Sequence, residues 1–154
     1  MPEPLIRLMQ MDDRDRVLRF FGQMGPDSRS FFNRNNGNLN WTLRFFDGTD
    51  KLAMRRWVAV DGDEMVGYVF LWDVNTMIPW LGIAVAESMR GKHFGQKLMD
   101  TAEQWCREQG KGGILLTTNV ANLRAQILYE RCGYARMGLY NESNYNEILY
   151  LKRF

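Results

Sequence analysis

The stretch Arg90-Gly91-Lys92-His93-Phe94-Gly95-Gln96 constrains this chain more than any other. It joins an apolar run, Trp80 to Ala86, to a segment in which Phe94, Leu98, Ala102 and Trp105 recur at helical spacing, so it reads as a strand-to-helix turn. Its glycines and cations lie where free N–H groups and the positive end of a helix dipole gather. Such a turn suits an anion, and a pyrophosphate fits it well. A solvated surface turn carrying Arg and Lys fits the same residues, so the segment needs a companion.

The companion follows the next apolar run, Ile114 to Thr118, where the chain continues as Asn122-Leu123-Arg124-Ala125-Gln126-Ile127-Leu128-Tyr129 and reaches Gly133-Tyr134. Together the two segments resemble the GNAT family of N-acetyltransferases. That family's pattern is a strand, Arg/Gln-x-x-Gly-x-Gly/Ala, a helix, a strand, and Asn-x-x-Ala-x-x-Leu-Tyr. Here the first half runs from Arg90 to Gly95, with His93 standing where the family has its first glycine. The second half matches at Asn122, Ala125, Leu128 and Tyr129, and Gly133-Tyr134 resembles the family's entry into the following strand. Either half alone is a weak pattern; both in order, with a helix and a strand between them, are specific. The match is strong from Leu81 to Tyr134 and elsewhere extends in outline only.

The resemblance implies a mixed α/β fold: one GNAT-type domain over residues 1–154, with a central, mostly antiparallel twisted sheet, a parallel central strand pair and flanking helices. It implies acetyl-CoA as acyl donor and a primary amine of a small molecule or peptide as acceptor, attacked directly in a ternary complex. Backbone groups of Ile83, Ala84 and Val85 would pair with the amides of the pantetheine arm. N–H groups of Arg90, Gly91, Lys92, His93, Phe94, Gly95 and Gln96 would hold the pyrophosphate. Asn122 would sit beside the cofactor, and Tyr129 would donate to the departing thiolate. Each has a plainer reading: Ile83, Val85 and Tyr129 as core, Asn122 as a helix cap, Arg90, Lys92 and His93 as surface residues. A homodimer is compatible with the same resemblance. A non-catalytic acetyl-CoA sensor of this fold is the alternative reading.

His93 is the chain's own departure. A Cβ hinders both positive φ and close backbone approach, but histidine is among the side chains enriched in the left-handed region, so the turn can survive. No general base emerges either. Ile78 to Ala86 contains no carboxylate, which leaves Asp73, Glu87 and Glu142 as candidates by position.

Along the rest of the chain, Leu5 to Leu8 reads as a strand and Asp12-Asp13 as the start of a helix carrying Val17, Leu18, Phe20 and Phe21. Gly25-Pro26 closes it, and residues 27–48 read as a broken helix with a loop at Asn36-Gly37. That segment mixes aromatics with Arg29, Arg34 and Arg44, so it is expected to wall an acceptor pocket that favours an amine also carrying a carboxylate. Two strand runs, Arg56 to Val60 and Met65 to Trp72, flank a hairpin signal at Asp61-Gly62-Asp63-Glu64. Tyr134 to Tyr140 and Ile148 to Lys152 read as a closing hairpin.

The chain's 154 residues suit one domain that buries about two thirds of its unfolded surface without disulfide or metal staples. A formal charge of +2 gives no reason to expect nucleic acid or a membrane surface as partner. With one histidine and no Cys-x-x-Cys spacing, no metal is expected, and Cys106 and Cys132 read as small core residues. Neither Gly-x-x-x-x-Gly-Lys-Ser/Thr nor Gly-x-Gly-x-x-Gly occurs, which weighs against a nucleotide-binding module. Met1 to Arg7 lacks the layout of a signal peptide, so a cytoplasmic address is expected.

Overall fold

The computed structural model describes residues 3–50, 53–140 and 146–154. Among these, seven strands form one sheet: β1 (Leu5–Leu8), β2 (Met54–Asp61), β3 (Glu64–Trp72), β4 (Trp80–Val85), β5 (Gly113–Asn119), β6 (Ala135–Tyr140) and β7 (Glu147–Arg153). Their order is β1-β2-β3-β4-β5-β7-β6, and only the β4–β5 pairing is parallel. The expected fold class, both hairpins and the parallel pair are therefore present.

Helix α4 (Phe94–Glu108) makes the crossover between the parallel strands. Its buried residues Phe94, Leu98, Met99, Ala102 and Cys106 fall on one helix face and pack with Val69, Leu71, Leu81, Ile114 and Leu116 of the sheet. Burying a leucine or phenylalanine of this kind contributes about 1.5–3 kcal/mol. Gly110, at φ +72, ends the helix with the left-handed residue that its C-terminus requires. Helix α5 (Leu123–Arg131) lies against the same core, and both cysteines are buried in it.

The opposite face of the sheet carries α1 (Arg14–Gly22), α2 (Pro26–Phe31) and α3 (Gly37–Phe46). Phe20 and Phe21 of α1 pack on Val58, Tyr68 and Phe70. The break between α2 and α3 falls at Asn33 to Asn36, slightly ahead of the expected Asn36-Gly37. Asn35 and Asn36 take φ values of 54° and 57°, a conformation that asparagine tolerates better than most side chains. Buried Asn33 fixes the corner, its Oδ1 accepting from Leu39 N at 2.9 Å, while Asn38 Nδ2 donates to the Phe32 carbonyl.

One irregularity of the sheet opens the cavity. β4 pairs with β3 along its whole length, and β5 likewise with β7, but β4 and β5 share only the register Trp80↔Leu115. Beyond that point the two strands part. The backbone of β4 from Gly82 to Val85 keeps its bonds to β3 and, among the described residues, has no strand partner on its other side.

Candidate active site

A cavity of about 690 Å³ occupies this gap and is lined from both faces of the sheet. Cross-strand partners point to the same face, so the register sorts its lining. Gly82 and Ala84 face α1 to α3 with Phe70 and Tyr68, whereas Ile83 and Val85 face α4 and α5. Of the residues expected to hold the cofactor, Ile83, Ala84, Val85, Arg90, Gly91, His93, Phe94, Gly95, Gln96, Asn122 and Tyr129 all line this one cavity, whereas Lys92 is exposed and absent from the wall.

The turn before α4 supplies the cavity's positive end. Gly91 and His93 both adopt left-handed backbone, with φ of 76° and 57°, which curls the chain back into the helix start. His93 is the N-cap residue, and no side chain caps α4. The first N–H groups of a helix have no internal partner, so here they and the helix dipole are free for an anion. Arg90 Nη2 donates to Ser28 Oγ at 3.0 Å, linking the turn to α2, and its Nη1 lies 3.7 Å from Glu87.

The turn thus holds His93 in left-handed backbone although the residue carries a Cβ. A non-glycine residue held in the left-handed region costs about 1–2 kcal/mol, partly offset by the lower entropy of its unfolded chain. His93→Gly is therefore expected to leave stability level or raise it by up to about 1 kcal/mol, with CoA affinity retained. Urea melts and CoA titration check this. A clear loss of stability would mean that the contact between His93 Nδ1 and Arg131 Nη1, 3.3 Å apart, carries more than the backbone strain costs.

At the other end of the cavity, the side chain of Asn122 caps α5, its Oδ1 accepting from Ala125 N at 3.3 Å. Tyr129 follows on the same helix, buried with the ring of Tyr150 5.7 Å away. Burial raises its phenol far above the ordinary value, with Tyr150 and Cys132 adding to the shift, so it holds its proton. No described residue bonds to its hydroxyl, and Tyr129 lines the cavity.

The base candidates named from position are not brought to this site. Asp73 occupies a left-handed turn outside the cavity wall, and Glu87 is exposed beside Arg90. Glu142 lies outside the described residues. The carboxylates that line the cavity are instead Asp27 and Glu147, which no local pattern marked. Arg124 and Arg131 of α5 line it as well; their spacing, with Ile127 and Leu128 between them, puts all four on one helix face, the signal that could have revealed them. The segment 27–48 does wall the cavity, through Asp27, Ser28, Phe31, Phe32, Asn38 and Trp41. Its arginines do not. Arg29 folds back onto the carbonyls of Met24 and Gly22, at 2.7 and 2.8 Å, and Arg34 and Arg44 are exposed outside the wall. The expected preference for an acidic acceptor therefore loses its footing.

Comparison with known proteins agrees with this geometry. The sequence model of the Acetyltransferase (GNAT) family matches residues 15–134. The chain belongs to the GNAT family. It is 34% identical over 94 residues to the probable N-acetyltransferase family 8 member 5 of Mus musculus, a match covering 56% of this chain and 40% of that protein. The chain thus spans less than half the length of that relative. Among solved structures, the ribosomal-protein-S5-alanine acetyltransferase of Vibrio fischeri superposes with a TM-score of 0.78 at 13% identity, covering 99% of this chain and 94% of that one. Spermidine N-acetyltransferase of Vibrio cholerae, solved with CoA and spermine, superposes with a TM-score of 0.70 at 19% identity, covering 99% and 95%. These two likenesses establish the shared fold.

Proposed function

We propose that this GNAT chain is an N-acetyltransferase, transferring the acetyl group of acetyl-CoA to a primary amine of a small molecule or peptide by direct attack with both substrates bound. The observation that carries the reading is the gap beyond Trp80↔Leu115, lined on one face by the uncapped start of α4 and Tyr129 and on the other by aromatics of α2 and α3. Two substrates entering from opposite faces would meet there without a covalent enzyme intermediate.

Acetyl-CoA supplies an acetyl thioester. The chain supplies the rest. Backbone groups of Ile83, Ala84 and Val85, free on one side, pair with the pantetheine amides as an added strand would. N–H groups from Arg90 to Gln96 hold the pyrophosphate, each charge-assisted contact contributing about 1.5–3 kcal/mol. Lys92 contributes through its backbone alone, since its side chain is outside the wall. An acceptor amine with the pKa of lysine, about 10.4, is neutral about once in 2500 molecules at pH 7, a penalty near 4.6 kcal/mol that desolvation and a nearby carboxylate reduce. Tyr129 keeps its proton and donates a hydrogen bond to the sulfur as negative charge develops there. Residues 1–154 act as one such domain, in the cytoplasm; no described helix is long and apolar enough to cross a membrane.

CoA and acetyl-CoA are expected to stabilise the fold, by about 2.7 kcal/mol at 100 times the dissociation constant. A melt with and without ligand measures this, and thiol release over an amine panel measures turnover. No stabilisation by millimolar CoA in a folded sample would remove the reading. Stabilisation without thiol release from any amine would leave a CoA-binding sensor in its place.

A further inference from the structure

The half of the cavity facing α2 and α3 is built unlike the half that faces the α4 turn. Phe32, Trp41, Phe70 and Trp72 line it and pack on one another. Trp41 meets Phe70 edge-on at 5.6 Å and Trp72 at 5.5 Å, and the rings of Phe32 and Phe70 are 6.2 Å apart. The wall is held from behind. The guanidinium of buried Arg56 lies 5.5 Å from the Trp41 ring and 5.9 Å from Phe70, and Tyr68 Oη bonds to Thr42 Oγ1 of α3 at 3.0 Å. Asp50 lies 3.2 Å from Arg56 and offsets its charge. Gly82 belongs to the same design: the Phe70 ring lies over it, and any Cβ there would collide with the ring. The aromatic surface therefore reaches the β4 backbone itself, beside the gap.

Opposite this wall stands Glu147. As the register partner of Asn119 and Tyr140, it shares their face of the sheet, and Leu115, Thr117 and Asn119 share the face of Trp80. Glu147 thus lies on the aromatic side of the sheet, across the gap from Phe70 and Trp72. It is half-buried, lines the cavity, and is paired with no described side chain. Asp27 is the other carboxylate of this half. The cations that line the cavity, Arg90, Arg124 and Arg131, all come from the α4 turn or α5, as does His93; among them Arg90 reaches α2 only at Ser28, with Glu87 beside it.

Resting on the acetyltransferase reading, we infer that the acceptor is a cationic arylalkylamine: a primary ammonium next to an aromatic body, without a carboxylate. The aromatic box takes the ring by edge and face contacts, which add to the burial of its apolar area. Aromatic faces also attract the ammonium before it loses its proton. Glu147 attracts that cation and repels an acceptor carboxylate placed in the same lobe.

The test is thiol release with acetyl-CoA and three acceptors: 2-phenylethylamine, n-propylamine and L-phenylalanine. For the wild type, kcat/KM for 2-phenylethylamine is expected to exceed that for n-propylamine about tenfold and that for phenylalanine about thirtyfold or more. Glu147→Gln should raise KM for 2-phenylethylamine several-fold, narrow its lead over phenylalanine, and leave the CoA-induced melting shift unchanged. Equal kcat/KM for 2-phenylethylamine and phenylalanine overturns the inference, as does discrimination that Glu147→Gln leaves intact. Both results are obtained with a turning-over enzyme, so they leave the acetyltransferase reading standing. Absence of both the CoA shift and thiol release overturns that reading instead.

Discussion

Tyr129→Phe is expected to lower turnover about 100-fold while the KM for acetyl-CoA stays within about twofold. The phenol and the thiol it would assist differ in acidity in the wrong direction for full proton transfer. Their ordinary pKa values are about 10 and 8.5, so transfer is uphill by about 2 kcal/mol, and burial of Tyr129 raises its phenol further. A hydrogen bond donated to the sulfur avoids that cost and strengthens as charge develops, being worth about 1.5–3 kcal/mol when its acceptor is ionised. Such a bond acts in the transition state, so kcat and kcat/KM should fall together. The cavity-facing hydroxyl has no described partner, so its removal strands no buried group, and the mutant should melt like the wild type. The sign of the shift adds a second readout: a phenol raised above its ordinary value stays protonated through neutral pH, so Tyr129 should cause no fall in turnover below about pH 10. Equal kcat for the two proteins would return Tyr129 to the role of a core aromatic.

What was legible in the sequence was local. Arg90 to Gln96 and Asn122 to Tyr129 are contiguous stretches whose turn and cap chemistry depends on neighbouring residues, and the cavity gathers both. Strand and helix periodicity likewise gave the hairpins and the crossover, because burial on one face imposes it over a few residues. Glu147 shows where that reasoning stops. Its place on the aromatic face follows from being opposite Asn119 and Tyr140, a long-range register that nothing near residue 147 specifies. The same holds for Gly82, which reads as an ordinary glycine in an apolar strand until Phe70 is laid over it. Composition misled over Arg29, Arg34 and Arg44, since it says that cations lie near a wall but not which way they point. Arg29 is consumed by the exposed carbonyls at the end of α1, a common fate for a cation just past a helix C-terminus. His93 is the reverse case, where sequence reasoning about left-handed tolerance anticipated the φ of 57°.

The largest expected loss of stability lies outside the cavity wall, at Asp13. Its carboxylate is fully buried and accepts two bonds from the Arg7 guanidinium at 2.8 Å each, one from Gln10 N at 2.7 Å and one from Arg16 at 3.2 Å. It thereby ties β1 to the turn that leads into α1. Burial alone would push this carboxyl up, but Arg7, the Gln10 N–H and Arg16 together outweigh it and hold the pKa below the usual value. Asp13→Asn keeps the volume, removes the charge, and turns an amide donor toward cationic donors. It should cost about 3 kcal/mol at pH 7, toward the lower end for a broken buried pair because both arginines keep some contact with solvent. A group whose folded pKa is depressed stabilises fully above its unfolded pKa, about 3.9, and loses that contribution as pH falls through the folded value. The gap between wild type and Asp13→Asn should therefore be constant from pH 8 to 5 and shrink progressively below about pH 4, where the wild-type carboxyl is itself becoming neutral. Urea unfolding at pH 7, 5 and 3 measures it. A gap as wide at pH 3 as at pH 7 would show that the Asp13→Asn variant fails through shape rather than charge, and no gap at pH 7 would show that the bonds to Arg7 add nothing to the fold.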